Sequence, residues 1–213
     1  MFRDVTKREV SVEGLNVLTH GLGSILGLVG LFLLLNKENV GQLFMSPESI
    51  AYFIYGLSMI ILFGASALYH AFSFTPLKAL FQKIDHASIY LLIAGSYTPY
   101  LVLVIGGKLG YSFLAIIWLA AIAGIVFEVV WTNRFPKLST ILYLAMGWLS
   151  ILLIYPLYQA LSPKKIIYLV LGGLFYSVGT YFYQKKHIDW MHVIWHLFVL
   201  AGAGFVFISV YLL

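Results

Sequence analysis

Cysteine is absent from the 213 residues, so neither a disulfide nor a thiolate metal ligand is available. Any metal would have to be held by His, Asp, Glu or water. Charge is scarce as well: Asp, Glu, Lys and Arg make up 10% of the chain, against about 25% in a soluble domain. The formal excess of +5 is scattered over connecting segments, which argues against a nucleic-acid surface and for a role in membrane topology. Period-two alternation is missing from the apolar runs, which excludes a transmembrane barrel. No internal repeat, low-complexity tract or soluble domain interrupts them.

What remains is hydrophobic. Apolar residues make up 62% of the chain, and mean hydropathy is +0.95. Only helices or closed barrels can cross lipid, because every backbone N–H and C=O must be satisfied internally. Long continuous apolar runs therefore predict an all-α, polytopic membrane protein: one seven-helix transmembrane bundle over 1–213, with a short polar segment at 1–12. The expected spans are 14–35, 48–71, 84–105, 109–131, 138–160, 165–183 and 190–212. The first run is too long for a signal-peptide core and no small-residue cleavage site follows it, so it is expected to be retained.

Local punctuation agrees with this division. Ser46-Pro47-Glu48 offers an N-cap, a proline at the first helical position and an acid in the first turn. Ser162-Pro163 is expected to do the same for the sixth span, and Asp189 to cap the seventh. Gly106-Gly107 ends the third span, and Asn133 to Pro136 separates the fourth from the fifth. Pro99 and Pro156 fall inside spans and predict kinks. Gly23, Gly27 and Gly30 predict close helix packing.

Lys and Arg in the loops set the orientation. Arg3, Lys7, Arg8, Lys78, Lys83, Arg134, Lys137, Lys185 and Lys186 fall on the N-terminal side, and Lys37, Lys108, Lys164 and Lys165 on the other. This bias predicts a cell-membrane protein with its N-terminus in the cytoplasm and its C-terminus outside. Trp131 and Trp190 then lie at the cytoplasmic interface, as an aromatic belt would.

On that topology the ionisable residues inside the spans gather in one leaflet. Glu13, Asn16 and His20 share one face near the start of the first span, and Ser66 and His70 are i and i+4 near the end of the second. Asp85 opens the third span, Glu128 is near the end of the fourth, and His192 and His196 open the seventh. Several have plain structural readings. Glu13 suits a helix first turn, Asn16 a helix–helix hydrogen bond, and His20 could snorkel or pair with Glu13. Glu128, close to Trp131, reads as interfacial, and His86 and His187 receive no role.

His70, His192 and His196 make the strong combination. His192 and His196 are stacked at i and i+4 on one helix face. Three imidazoles leave a tetrahedral zinc one open position, as in catalytic rather than closed structural sites. Asp85 could accept a proton from a water there or orient a ligand imidazole. Ser66 could hydrogen-bond the water or a developing oxyanion.

These residues match a known pattern. Glu13 to His20 resembles the E-x-x-N-x-x-T-H opening of the progestin and adipoQ receptor family. Ser66 to His70 resembles its S-x-x-x-H, followed by Asp85, and His192 to His196 its H-x-x-x-H in the seventh helix. The short flanks look like the bacterial hemolysin III branch. The resemblance implies a seven-helix fold with a cytoplasmic N-terminus and a zinc held by His70, His192 and His196, with Asp85 and Ser66 beside it. A similar constellation in alkaline ceramidases implies hydrolysis of a lipid amide.

Three functions are thus expected to compete. The first is a zinc-dependent hydrolase of a membrane-lipid amide or ester. The second is a lipid sensor with a structural zinc, and the third a cytolysin. A pore needs polar lining across the whole bilayer. The outer halves offer hydroxyls such as Ser58, Tyr97 and Thr98 but no ionisable stripe, which disfavours a monomeric pore.

Overall fold

The computed structural model describes residues 6–37, 46–131, 134–185 and 188–213. Arg3, Asn133, Lys186 and His187 lie outside the described residues. All secondary structure among the described residues is helical. Among the described residues, seven helical segments are long and apolar enough to cross a membrane. They are α1 (Lys7–Leu35), α2 (Pro47–Ala71), α3 (Lys78–Pro99) continued by a π-helical stretch (Tyr100–Ile105), and α4 (Gly107–Trp131). The fifth span joins α5 (Pro136–Trp148), a 3-10 stretch (Leu149–Leu153) and α6 (Ile154–Ala160). The sixth is α7 (Pro163–Gln184) and the seventh α8 (Asp189–Tyr211).

The first and third spans begin earlier than expected because polar residues add helical turns before the apolar run. Thr6 caps α1 in a reciprocal capping box with Glu9, whose carboxylate takes the Thr6 N–H at 2.9 Å. Ser46 caps α2, accepting from the Ser49 N–H at 3.1 Å, with Pro47 at the first helical position.

Two expected caps are corrected. Ser162 occupies the N-cap of α7, but its hydroxyl makes no cap bond; the Lys165 and Ile166 amides reach its carbonyl instead. The N-cap of α8 is Ile188, and Asp189 is the first helical residue. Its carboxylate accepts from Arg8 Nε at 2.5 Å, because a guanidinium is a stronger partner than a backbone amide.

Both internal prolines coincide with changes of helical pitch. Proline has no N–H to give to the carbonyl four residues back. Directly after Pro99 the helix widens into the π stretch, and directly before α6, which contains Pro156, it tightens into the 3-10 stretch. Gly106 and Gly107, at φ +57° and +53°, then end the third span in the left-handed region that favours glycine.

The bundle is apolar outside and polar inside at one end. Outward residues such as Leu18, Phe32, Leu119 and Leu152 are exposed, whereas Asn16, His20, Ser66, His70, Asp85, His86, Glu128 and His196 are buried. That is the arrangement a chain solvated by lipid requires. Small residues bring α1 against α2 and α8. A Cβ on Gly23 would lie 2.7 Å from the Phe63 ring, and one on Gly30 would lie 2.9 Å from Phe207.

Candidate metal centre

The three histidines come together. His70 from the last turn of α2 meets His192 and His196 from the first two turns of α8, and one ring nitrogen of each lies within 4.8 Å of the others. His70 Nε2 and His192 Nε2 are 3.2 Å apart. Two nitrogens on a tetrahedral zinc, each about 2.0–2.1 Å from it, would be separated by about 3.3 Å. That pair therefore stands at ligand spacing before any ion is considered, with a His196 nitrogen within 4.8 Å of both.

The outer edges of two rings are held by α1. Glu13 Oε2 lies 2.6 Å from His70 Nδ1. An ionised carboxylate only accepts, so Nδ1 carries the proton and Nε2 presents its lone pair to the cluster. Thr19 does the same for His196. Its hydroxyl hydrogen is directed at the Leu15 and Asn16 carbonyls, 2.9 and 3.0 Å away. The hydroxyl oxygen is then free to accept from His196 Nδ1 at 3.2 Å. Partners of this kind fix the tautomer and orientation of ligating imidazoles. Tautomers fixed in this sense, with no thiol in the chain, suit a borderline metal that favours nitrogen.

Asp85 and Ser66 stand in the same site. Ser66 stands beside the Asp85 carboxylate, and Asp85 is within electrostatic reach of His70. Both residues, with His20, His192 and His196, line a cavity of about 250 Å³. From this polar end the cavity runs between apolar walls that include Leu101, Leu153, Leu157, Ile166 and Val206.

Several expectations need correction. Glu13 pairs with His70 and not with His20. His20 does not snorkel: it is 3% exposed, stacks on His196 with ring centroids 3.6 Å apart, and meets the edge of Phe63. Neither of its ring nitrogens has a side-chain partner among the described residues. Asn16 is buried against the Glu13 carboxylate at 3.5 Å. Glu128 is not interfacial. It is 2% exposed and accepts from His86 Nδ1 at 2.9 Å and Ser139 Oγ at 2.8 Å.

His86 and Thr19 are the residues that sequence reasoning passed over. Thr19 is the threonine of the E-x-x-N-x-x-T-H pattern, a signal that could have revealed it. Nothing local distinguishes His86, because its partner lies 42 positions away.

At the other end of the bundle the hydroxyls turn to backbone. Ser58 donates to the Tyr55 carbonyl, Thr98 to the Ala94 carbonyl and Tyr97 to the carbonyls of Met146 and Gly147. Their hydroxyl hydrogens are directed at backbone carbonyls.

Comparison with known proteins places this geometry in context. The family model described as "Haemolysin-III related" matches residues 9–207. The chain is 42% identical over 202 residues to the Hemolysin-3 homolog of Bacillus subtilis (strain 168), covering 94% of this chain and 93% of that protein. It is likewise 42% identical to Hemolysin-3 of Bacillus cereus, over 94% of this chain and 91% of that protein. At 30% identity it resembles the human monocyte to macrophage differentiation factor, over 74% of this chain and 67% of that protein.

Proposed function

Because the chain belongs to the haemolysin-III-related family, we propose that it is a membrane-embedded zinc hydrolase that cleaves a lipid amide or ester. The observation that carries this reading is the convergence of His70, His192 and His196, the last two of which line the polar end of an apolar cavity. A zinc ion bound there would supply Lewis-acid activation of a water molecule.

The remaining work belongs to the chain. Glu13 and Thr19 hold the His70 and His196 rings with Nε2 inward. Asp85, beside Ser66 at the cavity wall, accepts the proton of the attacking water. The apolar walls take an acyl chain and exclude bulk water from the polar end. With the loop cations on the N-terminal side, the site lies in the cytoplasmic leaflet, and the C-terminus lies outside.

Hemolysin-3 names its Bacillus cereus relative after lysis, which supports a second reading as a cytolysin. The outer-half hydroxyls bonded to backbone weigh against a monomeric pore. Lipid cleavage would itself lyse a membrane, so the hydrolase reading accommodates that name.

Asp85→Asn is the test. It preserves size and most hydrogen bonding but removes the base. The purified variant should keep its zinc while release of fatty acid from ceramide or phospholipid falls by about 10²–10⁴-fold. Loss of zinc as complete as in His70→Ala would make Asp85 a ligand. No fatty-acid release by the wild type from either lipid would favour the sensor reading.

A further inference from the structure

One buried ionisable pair has no part in the scheme above. Glu128 on α4 and His86 on α3 meet at 2.9 Å, and their side chains are 3% and 11% exposed. A buried ion pair is expensive to desolvate and is often replaceable by apolar residues at no loss of stability. Its retention inside a lipid-solvated bundle therefore asks for a use.

The geometry specifies one. Glu128 lies behind the ring: one oxygen takes His86 Nδ1, and the other takes the Ser139 hydroxyl at 2.8 Å. Tyr143 holds the backbone of the same residue, donating to the His86 carbonyl at 3.2 Å. The carboxylate only accepts, so Nδ1 carries a proton and the Nε2 edge is turned away from Glu128. His86 lines the same cavity as Asp85, Ser66, His192 and His196. Asp85 immediately precedes it in α3, so two proton-bearing side chains border the polar end.

We propose that His86 is the general acid of lipid-amide cleavage and that Glu128 is its positioning residue. This rests on the hydrolase reading. Water adds to the acyl carbon and gives one proton to Asp85. As the C–N bond breaks, the imidazolium of His86 gives its Nε2 proton to the departing nitrogen and becomes neutral. The proton held by Asp85 then returns to His86, and one water has been consumed to yield a free acid and an amine. An amide needs such a donor because an amide anion is too basic to leave, whereas an aryl oxide leaves unprotonated.

That difference is the experiment. Zinc-loaded wild type, His86→Gln and Glu128→Gln in lipid nanodiscs are assayed on a dodecanoyl ceramide and on the 4-methylumbelliferyl ester of the same acid. His86→Gln should lose amide turnover by about 10²–10³-fold while keeping most ester turnover. Glu128→Gln should lose less, in the same direction. Zinc content should be unchanged in both. In 15N-histidine spectra, the resonance missing from His86→Gln should show a proton on Nδ1 and should shift in Glu128→Gln. A bare Nδ1, or equal loss on both substrates from whichever variant folds, overturns the dyad and leaves the hydrolase reading standing. A wild type that cleaves neither substrate overturns both.

Discussion

Glu13 is the residue whose sequence reading and structural position differ most usefully. An acid in a first helical turn has a sufficient local explanation in the helix dipole. Here its carboxylate instead reaches across to α2 and takes the Nδ1 proton of His70 at 2.6 Å. If that contact fixes the ligand tautomer, Glu13→Gln should weaken zinc binding by about 10–100-fold without abolishing it. Competition with a graded series of chelators measures this. An affinity equal to the wild type would leave Glu13 no part in holding the ligand. The same logic explains why His70, His192, His196, Asp85 and Ser66 were legible from spacing and depth, whereas His86 was not. Ligands on one face announce themselves by period; a partner on another helix does not.

At the scale of elements, the seven runs were readable because lipid enforces length and apolarity on each of them. Their ends were less so. α1 and α3 begin at Lys7 and Lys78, ahead of the apolar runs, since helical hydrogen bonding continues into polar residues that hydropathy discounts. The assignment of Asp189 as a cap failed for a tertiary reason: Arg8 on α1 competes for the carboxylate, and no local rule anticipates that. Pro99 and Pro156 announced irregularity. The outcome, a π stretch after one and a 3-10 stretch before the other, depends on which neighbours take the released carbonyls. The glycines of α1 fared better. Gly23 and Gly30 are where Phe63 and Phe207 come too close for a side chain, and that closeness lets Glu13 and Thr19 reach the histidines of α2 and α8.

For the whole molecule, orientation is the claim on which the site's access depends. Reporter fusions after Lys83 and Lys185 should read as cytoplasmic, and those at Lys37 and Leu213 as external. An internal reading at Leu213 would contradict the proposed topology. The bundle itself gathers residues from α1, α2, α3 and α8 at one end, and the account stands on what the three imidazoles of that cluster bind. Metal analysis of the purified protein tests this most directly, with wild type, His70→Ala, His192→Ala and His196→Ala compared at equal protein concentration. The wild type should carry about one zinc per chain, and each alanine variant should lose it while keeping its helical content. Full zinc retention by folded His192→Ala and His196→Ala protein would contradict the assignment.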